Sequence, residues 1–296
     1  MATLTLATIA AGASVVATDL QDGSDPFSLS AVVLDQNGNP VRDLTAKDFK
    51  ISENGKTVQL ESVQLRTLGE TTARGRAVVL VLGAGGTDPA LTPRVQTIAK
   101  SFIDTAGPND HVSVVRYAPR DEIQGTRNDM LTRIAEFRAG MGEPLNQRTN
   151  RDVLDTVASL SRELMDIDAP RRAIVFIGSP YVYDVILPQR LEYDIAWPQW
   201  VRAMSTAARA NVSVYVLDPH ALTGNMRINP DGLVAQTGGT VFFNRNDFER
   251  AKDVVWRDAG TYYALEYKAE PSKRDLQKIS VTVSRPDLSV RARRAR

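Results

Sequence analysis

The apolar positions of the chain change rhythm twice. From Phe27 to Leu34 (FSLSAVVL) β-branched and apolar residues dominate, and the run stops at Asp35-Gln36-Asn37-Gly38-Asn39-Pro40, which predicts a strand followed by a tight turn. Two more short strands are expected: Phe49 to Glu53, ended by Asn54-Gly55, and Thr57 to Arg66, whose apolar positions are Val58, Leu60, Val63 and Leu65. The alternation slips once, between Leu60 and Val63, as the extra residue of a β-bulge would make it do. A sheet of this size cannot stand alone.

From Arg76 short apolar runs alternate with helical periodicity, the signature of a parallel sheet covered by helices. Ala77 to Leu82 (AVVLVL) is apolar throughout, as a strand buried on both faces should be. Thr92-Pro93 reads as a helix start with proline in the first turn, and Val95, Ile98, Ala99, Phe102 and Ile103 recur at helical spacing up to Gly107. The unit repeats, with strands over Val112 to Tyr117, Arg172 to Ile177 and Val212 to Leu217 and helices over Met130 to Arg138, Val153 to Met165 and about Pro198 to Ala210. A short helix (Leu233 to Gly239), a short strand (Val241 to Phe243) and a helix from Phe248 to Asp258, stopped by Gly260, close the series.

Beyond Gly260 strand patterns return over Tyr262 to Lys268, Ile279 to Ser284 and Leu288 to Ala292. The two flanking β pieces are expected to join in one sheet or sandwich and complete each other's core. The predicted class is therefore α/β, a doubly wound and mostly parallel sheet with a small antiparallel β domain formed by the N- and C-terminal segments. Residues 1–26 form an arm or signal remnant, 27–70 and 261–296 the two parts of the β domain, and 75–260 the α/β domain.

Composition removes several function classes. Lys plus Arg (36) nearly balances Asp plus Glu (35), so no summed positive field exists to hold nucleic acid or an anionic membrane. The basic end, Arg291, Arg293, Arg294 and Arg296, reads as a solvated strand face that blunts an exposed edge. Without cysteine there is no disulfide, thiolate nucleophile or Cys-ligated zinc, and His111 and His220 are too few for a multi-histidine metal site. Met1 to Ala17 is apolar and small-residue-rich but lacks the basic start of a secretory signal, which leaves a signal remnant and an N-terminal strand or arm both open. No uncharged apolar run reaches the roughly 20 residues of a membrane span.

Several segments, taken in order, carry a family resemblance: VVLDQNGNPVRDLTAKDFKISENGK, AVVLVL, RRAIVFIG, ARANVSVYVLDPHAL, LVAQTGGTVFF, YYALEYKAE and VRARRAR. Over about Phe27 to Arg296 the chain resembles the von Willebrand factor A-related proteins first catalogued in Acidobacteria. The resemblance implies an A-type core, usually exported and hence secreted or periplasmic, with ligand binding at the top of the sheet and no enzymatic chemistry. In that family a divalent ion sits beyond the carboxyl ends of the central strands, held by a DxSxS motif, a threonine from a later loop and an aspartate after a following strand. A hard cation needs such a fixed set of oxygens. The matching positions here are Gly83-Ala84-Gly85-Gly86-Thr87, then Thr149, then Gly178 with Ser179 beside it. Both carboxylates are missing, and neutral hydroxyls do not offset the desolvation of a divalent ion. The resemblance thus implies a degenerate site with no metal and no cofactor, at which only Asp88 or Asp184 could substitute.

The stretch between Gly178 and Trp200 carries Tyr181, Tyr183, Tyr193, Trp197 and Trp200. Aromatic residues on a long loop suit recognition because they bury large areas at small entropic cost. Tyr181, Tyr183, Asp184 and Tyr193 are candidate partner contacts, whereas helical spacing with Val201 and Met204 directs Trp197 and Trp200 to the core. The expected function is non-catalytic recognition of a protein partner through the loops Gly83 to Pro89, Met141 to Asn150 and Gly178 to Tyr193. Two other readings stand beside it. The run VVLVLGAGGT imitates a dinucleotide fingerprint at Gly83 and Gly85, although Asp88 takes the place of the third glycine and the next strand ends at Arg116-Tyr117 without an acidic ribose partner. The chain could also be a self-assembling subunit, a homo-oligomer formed through its β-domain edges. A hydrolase finds no support, because Ser179 lacks the GxSxG frame and Asp218 and His220 have no reason to meet it.

Overall fold

The computed structural model describes residues 27–68, 74–83, 87–117, 121, 123–140, 147–178, 196–219, 232–242, 248–269 and 274–296. The N-terminal arm or signal remnant expected over residues 1–26 lies outside them. The first rhythm folds into β1 (Phe27–Leu34), β2 (Phe49–Glu53), β3 (Lys56–Val58) and β4 (Leu60–Thr67). The single strand expected over Thr57 to Arg66 is thus two strands, because β3 pairs with β2 in one sheet and β4 belongs to another. The chain changes sheets at Gln59. The slip in the alternation is a bulge: Tyr267 faces Leu60 while Glu266 faces Ser62, leaving Glu61 as the extra residue.

The middle rhythm gives β5 (Ala77–Leu82), α1 (Thr92–Thr105), β6 (His111–Arg116), α2 (Arg127–Glu136), α3 (Gln147–Met165) and β7 (Arg172–Ile177). It continues through α4 (Trp197–Arg209), β8 (Val212–Leu217), α5 (Leu233–Gln236), β9 (Val241–Phe242) and α6 (Phe248–Gly260). All five strands are parallel, in the order β6-β5-β7-β8-β9. Helix α2 begins earlier than its apolar residues suggest. Thr126 and Asp129 close a capping box there, with the Asp129 N–H donating to Thr126 Oγ1 at 3.2 Å.

Unbroken apolar runs are what a sheet covered on both sides needs. Ala77, Val79 and Val81 of β5 pack under α3, α4 and α5, while Val78, Leu80 and Leu82 pack under α1, α2 and α6. Each fully buried Val or Leu contributes roughly 1.5–3 kcal/mol of transfer free energy. Trp200 is 1% exposed among the α3 and α4 side chains, as its spacing predicts. Trp197 is half-buried and donates from Nε1 to Asp275 Oδ2 at 3.2 Å.

The third rhythm supplies β10 (Thr261–Tyr267), β11 (Ile279–Val283) and β12 (Ser289–Ala292). They join the N-terminal strands in a sandwich of two antiparallel sheets, β12-β1-β10-β4 and β11-β2-β3. Leu29, Val33, Phe49, Ile51, Tyr263, Leu265 and Ile279 fill the space between the sheets. The other face of the four-stranded sheet buries Val32, Leu34 and Tyr262.

The basic end is not the solvated face expected of it. Arg293 is 5% exposed, and burial, together with the neighbouring Arg171, pushes its guanidinium down to about 10. Arg291 reaches the fully buried carboxylate of Asp258 at 2.7 Å, and Arg296 pairs with buried Glu53 at 2.6 Å. Only Arg294 is exposed. The correction has a physical cause: these residues lie where the sandwich meets the amino ends of the parallel strands, so their charges are enclosed between layers. Asp258 also accepts from the Tyr215 hydroxyl at 3.2 Å, and Arg171 donates to the Asp258 carbonyl at 2.8 Å and to Ser213 Oγ at 3.1 Å.

Candidate functional site

In an open α/β sheet, ligands bind outside the carboxyl ends of the strands where the order reverses, because the crossovers on either side leave on opposite faces and open a crevice. Here the reversal falls between β5 and β7, the neighbours that lead into α1 on one face and α4 on the other. Gly83 follows β5 and Gly178 follows β7, directly after the paired residues Leu82 and Ile177.

Gly83 donates its N–H to Ile177 O at 3.1 Å and has φ +82°, a conformation that glycine adopts without strain. A Cβ there would meet the Phe137 ring at 2.8 Å, so the absent side chain is what lets Phe137 close over the strand end. The segment after α2 is held down by α1: Ala139 N–H donates to Thr92 Oγ1 at 3.0 Å, and Gln96 Nε2 donates to Phe137 O at 3.2 Å. Gly140 in turn accepts from Thr87 N–H at 2.9 Å. Thr87 is 1% exposed, and its Oγ1 has no hydrogen-bond partner among the described residues. A buried hydroxyl without a partner costs about 1–3 kcal/mol, so the fold tolerates here something it does not need for itself.

Asp88 is committed elsewhere. It caps a 3-10 turn over Pro89–Leu91, with Oδ1 accepting from Ala90 N–H at 2.9 Å. That turn also stands between the Gly83 loop and the start of α1, whereas a dinucleotide fold needs its glycine loop to run directly into the helix that seats the pyrophosphate. Thr149 lies in the first turn of α3. Gly85, Ser179, Tyr181, Tyr183, Asp184 and Tyr193 lie outside the described residues, as do Met141 to Asn146. The structure therefore brings Gly83, Thr87 and Gly178 to one end of the sheet, and the aromatic contacts are left to sequence reasoning.

Other polar groups at this end were not singled out from the sequence as site residues. Asp218 follows β8, is 8% exposed and donates its backbone N–H to Phe242 O at 2.8 Å. Tyr117 follows β6, and its buried hydroxyl has no partner among the described residues. Burial, reinforced by the carboxylate of Asp152, pushes its phenol well above the usual range. Arg151 Nε and Gln199 Oε1, in the opening turns of α3 and α4, are likewise buried without partners among the described residues. Arg116 is locked by Asp121 through contacts of 2.7 and 3.0 Å. The available signal was positional: the first residue after each parallel strand, and the first turns of α3 and α4, all face the same end of a doubly wound sheet.

The chemistry that the described residues of this set support is hydrogen bonding and shape. His111 sits at the opposite, amino end of β6, 3.3 Å from Ser113 Oγ, with its pKa lowered by burial. Among the described residues no group of three or more His, Cys, Asp or Glu is placed to hold a metal, and no helix is long and apolar enough to cross a membrane. No family model matches the chain, and no curated protein matches it.

Proposed function

We propose that the protein is a non-catalytic recognition module of the von Willebrand factor A type, exported to the periplasm or beyond, that engages a protein partner through the loops at the carboxyl end of its parallel sheet without a bridging metal. The observation that carries this reading is Thr87: its hydroxyl is buried and without a partner among the described residues, at the end of the sheet where the strands finish in Gly83 and Gly178. A metal-bridged contact would need carboxylates at those strand ends. Backbone amides and hydroxyls instead suit a partner that brings its own donors and acceptors, with the aromatic loop residues Tyr181 and Tyr183 adding buried area.

Two measurements test it. Thermal unfolding with Mg²⁺, Mn²⁺, Ca²⁺, NAD or NADPH at millimolar concentration is expected to show no shift, since a ligand specific for the folded state raises the melting temperature by mass action. A saturable shift with a divalent ion that Thr87→Ala abolishes would overturn the metal-free reading, and a shift with a dinucleotide would replace it with cofactor binding. Affinity capture from the native host is expected to yield a partner that the Tyr181→Ala/Tyr183→Ala variant no longer retains. Equal retention by that variant would exclude the top-face loops.

A further inference from the structure

At the opposite end of the sheet, the junction with the sandwich encloses more positive charge than its carboxylates balance. Asp258 is shared by Arg291 at 2.7 Å and Arg257 at 3.6 Å, and Glu53 pairs with Arg296 at 2.6 Å. Arg171 and Arg293 are buried there too, 2% and 5% exposed, and among the described residues neither meets a carboxylate. Arg171 directs its donors to neutral oxygens, Nη1 to the Asp258 carbonyl at 2.8 Å and Nη2 to Ser213 Oγ at 3.1 Å. Its guanidinium lies over the Tyr262 ring, 5.4 Å from the centroid. Arg293 is less well served. Its Nη2 reaches Asn211 Oδ1 only at 3.4 Å, while Nε and Nη1 are buried with no partner among the described residues. Those two nitrogens carry most of the group's N–H donors.

A buried lysine can escape such a position by losing its proton, but a guanidinium cannot. Burial and the charge of Arg171 push Arg293 down to about 10, which leaves it protonated at pH 7. A charge held between packed layers without a counter-charge is costly. Arg257 and Arg291 also leave an Nε unmet, yet each reaches the Asp258 carboxylate. The two uncompensated arginines converge, because their acceptors Asn211 and Ser213 are two residues apart at the amino end of β8. Asn211 is fixed in turn by its Nδ2, which donates to Pro170 O at 2.7 Å and leaves Oδ1 for Arg293. Pro170 and Asn211 line a cleft of about 590 Å³ with Ser30 and Tyr262, so a small ion has a short way in from solvent.

We propose that Arg293 and Arg171 hold a small monovalent anion, of the size and charge of chloride, enclosed between the sandwich and the amino end of β8. Enclosure sets the size: Nε and Nη1 of Arg293 have no surface open to solvent, whereas an anion carried on a peptide or a sugar needs an open approach. The ion ties the segment after β12 to the segment before β7, and so joins the last strand of the sandwich to the α/β layers. It is separate from the recognition loops, which lie at the other end of the parallel strands.

The test uses the full chain. Its melting temperature is followed as sodium chloride replaces sodium gluconate at constant ionic strength, gluconate being too large to enter. A saturable rise of about 2–4 °C is expected, since a ligand of the folded state stabilises by mass action. The Arg293→Met variant, shown to be folded by circular dichroism, is expected to lose that rise. Crystals of the wild-type chain soaked in sodium bromide are expected to show an anomalous peak within hydrogen-bonding reach of Arg293 Nε or Nη1, an arm that needs no variant. Equal melting in the two salts, or no bromide at Arg293, would overturn the proposal and leave water, or the buried Oε2 of Glu53, to meet these donors. A chloride effect that survives Arg293→Met, or bromide confined to exposed side chains as an adventitious ion only, would overturn it as well.

Discussion

The two ends of the parallel sheet differ in how they place charge. At the amino ends Asp258, fully buried, gathers Arg291, Arg257 and the hydroxyl of Tyr215, while Arg171 ties the Asp258 carbonyl to Ser213. Arg76 holds Asp110 there too, with Nε donating to Oδ1 at 2.9 Å. At the carboxyl ends the strands finish in Gly83 and Gly178, and the hydroxyls of Thr87 and Tyr117 are buried with no partner among the described residues. One end spends its charges on joining the sandwich to the α/β layers. Both ends hold buried polar atoms without a partner among the described residues, Nε of Arg257, Arg291 and Arg293 at the first and the hydroxyls of Thr87 and Tyr117 at the second, but only the first gathers its charges round a fully buried carboxylate.

The sharpest way to break this contrast is Asp258→Ala. It leaves Arg291 and Arg257 without their shared carboxylate and is expected to lower stability by about 3–5 kcal/mol, measured by urea unfolding. A loss under ~1 kcal/mol would mean that the junction is held by apolar contact alone. Gly83→Ala comes next. Its positive φ and the 2.8 Å approach to Phe137 predict a loss of roughly 1–3 kcal/mol by the same assay. An unchanged midpoint would show that the strand end is free to move.

Thr87→Val should move the other way. Replacing an unpartnered hydroxyl by a methyl group is expected to leave stability unchanged or raise it by up to about 1 kcal/mol, while weakening partner capture. Destabilisation would reveal that Thr87 has an internal role. The smallest effect concerns His111, whose pKa burial lowers in the folded state. Below about 6.5 the unfolded chain takes up that proton more readily, so stability falls as pH drops through the acid side of neutrality. His111→Gln should flatten that part of the pH profile of the melting temperature, and an unaltered slope would assign it to other groups.

Most of the architecture could be read from periodicity. The runs AVVLVL, AIVFI and VSVYVL are apolar at every position but Ser213 because both faces of the sheet are covered, and the return of strand patterns after Gly260 foretold a β unit built from both chain ends. The change of sheet at Gln59 was not legible, since an unbroken alternation says nothing about which partner each half will pair with. Nor was the fate of Arg291, Arg293 and Arg296. A run of arginines looks alike whether it faces water or a buried carboxylate 33 residues earlier, as Arg291 faces Asp258. At the candidate site, matching positions to a family pattern singled out Gly83, Thr87 and Gly178, which share one end of the sheet, and passed over Tyr117 and Asp218, which topology alone brings to that end.

Pairing β1 with β12 has a consequence for how the polypeptide matures. Arg296 closes on Glu53 across 243 positions, so the sandwich cannot be completed until translation has passed its last strand. The parallel layers can assemble earlier from neighbouring segments, and β1 to β4 must then wait without their partners. An emerging chain of this design has to shelter an unfinished sheet for most of its synthesis.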